Sequence, residues 1–201
     1  MILNAVLLSL IAGLATGVGG LLVALFPTFN MRTYDGLLGF AAGVMTAVAT
    51  LGLVHEALTA GGILIAIVGL VAGAAVLFAM DRWLPHEHES LPFVCTDPGA
   101  YRRGLMLFAA MALHNFPEGL AVGTAFAAQP RLGLLLTVAI TLHNIPEGIA
   151  VAGPFRACGM SRRQYVGWAT LSGLAEPVAA FLGAGAVTLF APALPFSLAF
   201  A

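Results

Sequence analysis

His114-Asn115-Phe116-Pro117-Glu118-Gly119 recurs as His143-Asn144-Ile145-Pro146-Glu147-Gly148, and each copy is set in a long apolar run. An α-helix advances about 100° per residue. On that wheel Glu118 falls between His114 and Asn115, roughly 40° from one and 60° from the other. The three side chains share one face, and so do His143, Asn144 and Glu147. Imidazole, carboxamide oxygen and carboxylate are ligands of divalent cations. The repeat therefore predicts a metal site carried on two helices inside a membrane protein.

Composition names the solvent. Apolar residues make up 60% of the chain, charged residues only 8%, and the mean hydropathy is +1.00. A soluble domain carries about 25% charge, so the expected surroundings are a lipid bilayer. With a net charge of −1 and no basic run, nucleic acid is excluded as a partner. Cys95 and Cys158 lie in different loops, form neither a disulfide framework nor a C-x-x-C pair, and are read as ordinary residues. The first apolar stretch runs uncharged to Phe26 with no basic residue before it, which predicts a retained helix and not a cleaved signal.

A spanning helix needs about 20 mostly apolar residues. That length predicts helices at 2–26, 36–58, 62–80, 104–128, 132–153 and 165–190. Ala191-Pro192-Ala193-Leu194-Pro195 and the residues after it open a seventh helix without completing one. The expected fold class is all-α: one polytopic transmembrane helix bundle over 1–201, with six full spans and the start of a seventh. Arg32, then Arg82, Arg102 and Arg103, then Arg156, Arg162 and Arg163 fall in the first, third and fifth loops, leaving only Arg131 opposite. The positive-inside rule puts those loops in the cytoplasm and the N-terminus outside the inner (plasma) membrane.

The early helices read as packing elements. Gly13/Gly17, Gly39/Gly43 and Gly69/Gly73 are small pairs at four-residue spacing that let backbones approach closely. Close packing within the chain is the first use of such pairs, and assembly of a homodimer is the second. His55 and Glu56, ending the second helix, are read either as cation receivers at the outer mouth or as ordinary interfacial polar residues. The cytoplasmic loop 81–103 carries His86-Glu87-His88-Glu89, a weak metal-capture pattern.

Three glutamates, Glu118, Glu147 and Glu176, fall near the centres of predicted spans. Each would cost about 2.5–3.5 kcal/mol on insertion. No arginine lies in any span to neutralise them, so the compensating charge must come from protons or bound cations. Each also adjoins a proline: Pro117, Pro146 and Pro177. Proline kinks a helix and frees a carbonyl, and irregular backbone at membrane depth is tolerated where it is buried in protein or lines a wet cavity.

The fourth and fifth helices are joined by a short turn near Gln129-Pro130, which makes them antiparallel neighbours. If their polar faces meet, Glu118 and Glu147 sit at the centre, with both histidines to one side and both asparagines to the other. One cation would use His114, His143, Glu118 and Glu147. A second would share the glutamates and add Asn115, Asn144 and Glu176. Imidazole with carboxylate favours Zn²⁺ or Fe²⁺ over Mg²⁺ or Ca²⁺, and the amide oxygens also admit Mn²⁺ and Co²⁺.

The paired motifs, followed by Ser172-Gly173-Leu174-Ala175-Glu176-Pro177, closely resemble the ZIP (Zrt-, Irt-like protein) metal transporters, in their bacterial broad-range zinc-uptake branch. The likeness extends to Gly39-Phe40-Ala41-Ala42-Gly43-Val44-Met45. It implies an eight-helix bundle with both termini outside, so either the chain is truncated at its C-terminus, the first expectation, or a partner supplies the missing helices. It also implies a binuclear site moving Zn²⁺ and related ions (Fe²⁺, Mn²⁺, Co²⁺, Cd²⁺) into the cytoplasm by an elevator-like movement, with no prosthetic group. His114, Glu118, His143 and Glu147 would form the first position, Met45 adding a thioether. Asn115, Glu118, Asn144, Glu147 and Glu176 would form the second.

Two other functions fit the residues less well. An intramembrane zinc metallopeptidase would carry His-Glu-x-x-His, two histidines on one helix and a free base; here each helix supplies one histidine. A proton-coupled carrier of another solute would need the glutamates alone. The expectation is a transporter and not an enzyme.

Overall fold

A computed structural model describes residues 1–26, 31–83 and 98–201, and every regular element among them is helical. The first helix, α1 (Ile2–Leu25), sorts its faces by size instead of polarity. Leu3, Leu7, Ile11, Leu14, Val18, Leu21 and Leu25 form an exposed stripe, while Ala5, Ala12, Gly13, Thr16, Gly17 and Gly20 are buried. In lipid a large apolar side chain gains nothing by leaving the solvent, so helices associate through small residues that allow close van der Waals contact.

The next helix, α2 (Met31–Val48), passes through a π-helical stretch (Ala49–Val54) into α3 (His55–Trp83). Residues Asp35–Ala79 form one long, largely apolar helical stretch. As one straight helix they would reach about 68 Å, more than twice the hydrocarbon thickness of about 30 Å. The chain turns at Gly62, whose φ of 78° and ψ of 174° lie in a region open to glycine. That is where the sequence divides the second predicted span from the third. Against α3 packs the last helix, α8 (Leu194–Phe200). A Cβ on Gly69 would meet Ala199 and the Phe196 carbonyl, and one on Gly73 would strike Phe200.

Two long helices, α4 (Pro98–Ala128) and α5 (Pro130–Ala157), remain helical through Pro117 and Pro146. The span expected at 165–190 is divided. It consists of α6 (Arg162–Gly173) and α7 (Ala175–Leu189), joined at Leu174, where ψ opens to −8°. Pro177 has no N–H for the Gly173 carbonyl, so the ladder fails there. Gly173 is also pressed against α1, since a Cβ on it would meet the Gly13 carbonyl and Thr16 Oγ1.

Helices α1, α4, α5, α6 and α7 pack closely on one another, with α2 laid against α5, while α3 and α8 pack on each other and meet the rest through α8 on α4 and α7. Gly13 and Gly17 meet α6, and Gly69 and Gly73 meet α8. Among the described residues nothing lies within 4 Å of a notional Cβ on Gly39 or Gly43, so that pair does not serve packing among them. Cys158, read from sequence as an ordinary residue, is buried at the end of α5 and disulfide-bonded. The His86-Glu87-His88-Glu89 stretch lies outside the described residues.

Candidate metal centre

The centre forms where the polar faces of α4 and α5 meet beside the α6–α7 break. Nε2 of His143 lies 3.0 Å from Glu147 Oε1 and 3.3 Å from Glu118 Oε1. Nε2 of His114 lies 3.7 Å from the same oxygen of each glutamate. All four ligand atoms fall within 4.8 Å of one another. A tetrahedral zinc with bonds of about 2.0–2.1 Å holds its ligand atoms about 3.3–3.4 Å apart, and the four distances bracket that value. His143, Glu118 and Glu147 are buried, whereas the His114 side chain is 48% exposed at the edge of the bundle.

The remaining oxygens look to the other side. Asn115 is fully buried and donates through Nδ2 to the Ser172 carbonyl at 3.0 Å. Asn144, also fully buried, donates through Nδ2 to the Ala12 carbonyl at 2.7 Å and to Glu176 Oε1 at 2.5 Å. A carbonyl only accepts, so each amide must turn its NH₂ toward it and its own oxygen away. Oδ1 of Asn115, Oδ1 of Asn144, and Oε2 of Glu118, Glu147 and Glu176 are then all buried without a hydrogen-bond partner among the described residues. Buried polar atoms are nearly always satisfied. Five unsatisfied oxygens in one neighbourhood form a lining of acceptors with no donor, and a cation is the guest such a lining accommodates. Glu176 lies close enough for its charge to act on both Glu118 and Glu147.

Met45 is half-buried on α2 and packs against the apolar cluster around Leu53, Leu136 and Ile140. One turn before it, the Ala41 carbonyl faces the His143 ring. At the start of α3, His55 is exposed, while Glu56 accepts a hydrogen bond of 3.0 Å from Gln129 Nε2 and so fastens α3 to the α4–α5 turn.

Several residues that shape the centre carry no metal-ligand chemistry of their own. The carbonyls of Ala12 and Ser172 orient the two amides. Gly119 and Gly148, the last residue of each motif copy, admit neighbouring backbones. A Cβ on Gly119 would strike the backbone of Glu176, and one on Gly148 would strike the Thr16 carbonyl. The sequence signal for these was a glycine after glutamate in both copies, which a ligand-seeking reading passes over.

Comparison with known proteins agrees with this geometry. The family model described as ZIP Zinc transporter matches residues 86–198, more than half the chain. Zinc transporter ZupT of Corynebacterium glutamicum is 42% identical over 193 residues, covering 88% of this chain and 73% of that relative. Zinc transporter GufA of Myxococcus xanthus is 36% identical over 203 residues, covering 96% and 80%. Zinc transporter ZupT of Oceanobacillus iheyensis is 37% identical over 218 residues, covering 99% and 81%. A bundle of apolar helices with a buried His/Glu cluster, alike along nearly its whole length to these transporters, belongs to the ZIP family of bacterial zinc transporters.

Proposed function

We propose that this chain imports divalent transition-metal ions into the cytoplasm, Zn²⁺ foremost, with Fe²⁺, Mn²⁺, Co²⁺ and Cd²⁺ as further cargo. The carrying observation is the set of buried acceptor atoms without donors around Glu118 and Glu147. One ion takes Nε2 of His114 and His143 with an oxygen of Glu118 and of Glu147, and Met45 is its candidate thioether. A second takes the outward-turned oxygens of Asn115 and Asn144 with Glu176 and the remaining oxygens of the shared glutamates. Two dications set against three carboxylates bring the local charge close to balance, which no arginine in the spans does.

Ligands of imidazole, amide and carboxylate, with no thiolate, hold zinc less tightly than a structural cysteine site, which suits release. Support for an elevator-like movement comes from the division of the helices. Three of the four helices that carry candidate ligands, α4, α5 and α7, are packed together through α1 and α4, and the fourth, α2, which carries Met45, meets them through α5. The arginine distribution supports an N-terminus outside and transport inward. Against an enzymatic role, Glu118 and Glu147 each face a histidine nitrogen at ligand spacing, and Glu176 accepts from the Asn144 amide. Uptake of radioactive zinc into proteoliposomes is the direct test. Wild-type chain should take up zinc in a saturable manner, and uptake equal to protein-free liposomes would refute the reading.

A further inference from the structure

A groove of about 590 Å³ runs along the outside of the bundle between α1 and α6, and none of the metal centre's own residues lines it. Its walls are almost wholly apolar: Leu21 from α1, Gly167 and Leu171 from α6, and Leu174 at the α6–α7 break. Leu21, Leu171 and Leu174 are exposed, and nothing lies within 4 Å of a notional Cβ on Gly167, so the groove is open to the bilayer along its side. Its far end is lined by Arg162 and Arg163, both exposed, and neither makes an ion pair among the described residues. We propose that this groove binds one anionic phospholipid, the headgroup phosphate held by Arg162 and Arg163 and an acyl chain laid along Leu21, Gly167, Leu171 and Leu174.

Length, charge and location agree. From Arg163 to Leu174 the helix rises about 17 Å, close to the roughly 15 Å depth of one leaflet's hydrocarbon. A lipid with its phosphate at the arginines therefore ends its chain near Leu174. The volume falls within the usual range for a small-molecule site, about 300–1,000 Å³. Guanidinium pairs recognise phosphate oxygens in a planar, bidentate manner, and basic pockets between helices at the membrane surface favour anionic headgroups. A protein helix in this groove would leave both arginines without a counter-charge; a zwitterionic lipid would supply one weakened by its own cation. The position has a consequence for transport, because the chain's end abuts the helix break that sets Glu176 in place.

The full chain, purified in detergent and exchanged with dioleoyl-phosphatidylglycerol or dioleoyl-phosphatidylcholine, is examined by native mass spectrometry. Wild-type protein should retain phosphatidylglycerol in preference to phosphatidylcholine. Arg162→Gln combined with Arg163→Gln should reduce that preference about thirtyfold. Gly167→Leu, which fills the groove and keeps both arginines, should lose the lipid as well. A third arm adds inorganic phosphate, which should not displace the lipid at equal concentration. Equal retention of the two lipids by wild type would overturn the proposal whatever the variants do. So would undiminished retention in either variant, or displacement by phosphate alone.

Discussion

The side-chain amide of Asn115 on α4 donates to the backbone carbonyl of Ser172 on α6 at 3.0 Å, a bond that aims the uncharged amide oxygen by holding the other end of the same group. Asn144 is held in the same manner by Ala12 of α1. The two asparagines of the repeated motif thus take their orientation from different helices, although their places within the motif are identical.

Asn115→Leu should empty the second metal position while sparing the first, because His114, His143 and the near oxygens of both glutamates are untouched. The expected result is a fall of about one bound ion per chain and at least a tenfold loss of transport, the scale of a lost ligand-orienting contact. Metal content by mass spectrometry together with liposome uptake measures both. An unchanged metal content would remove Asn115 from the ligand set.

Glu118 and Glu147 each face a histidine with one oxygen and turn the second to the unsatisfied cluster. Glu118→Gln or Glu147→Gln should therefore weaken both positions together and bring uptake to background. Glu176 serves only one side, and its Oε1 already accepts from Asn144. Glu176→Gln should lose one ion and keep the other. The contrast between shared and unshared carboxylates is the discriminating measurement: equal losses in all three variants would contradict a bridging role for Glu118 and Glu147.

Much of this was legible in the sequence because membrane burial is so restrictive. An acidic residue in an apolar run needs a reason, and helical spacing alone put His114 and Glu118 on one face. The missed features depend on contacts between distant segments. Nothing in Ser172 or Ala12 advertises an acceptor, since every residue has a carbonyl. A kink was expected at all three prolines, and only the one at Pro177 divides its helix. Three prolines beside three glutamates look alike in sequence, yet α4 and α5 stay helical while the third span divides. Gly39 and Gly43 erred the other way, matching the packing pattern while facing open space.

Those glycines supply a paired test of packing. Gly148→Ala places a methyl group against the Thr16 carbonyl, and Gly119→Ala places one against the backbone of Glu176. Overpacking of this kind costs about 1–3 kcal/mol, so both variants should melt earlier in detergent than wild type. Gly153→Ala, on the same helix as Gly148, meets nothing within 4 Å and gains helix propensity. It should melt at the wild-type temperature or slightly above. Equal destabilisation in all three would show that helix flexibility, and not backbone approach, is what these glycines provide.

At the other end of α1 the chain carries a fastening whose loss should leave the metal centre intact. Arg156 of α5 donates through one guanidinium nitrogen to the carbonyls of Val23 and Phe26. The last carbonyls of a helix have no partner within it, and a cation there also opposes the helix dipole. Arg156→Ala should cost about 1–2 kcal/mol, the range for a bond to a charged donor reduced by partial exposure. Ala12 and Thr16, which pack beside the centre, lie about two to three turns away from Val23 along α1. Metal content should therefore stay at the wild-type value while the melting temperature falls and hydrogen exchange quickens in the last turn of α1. Lost metal at unchanged stability would mean that Arg156 acts on the site and not on the helix end.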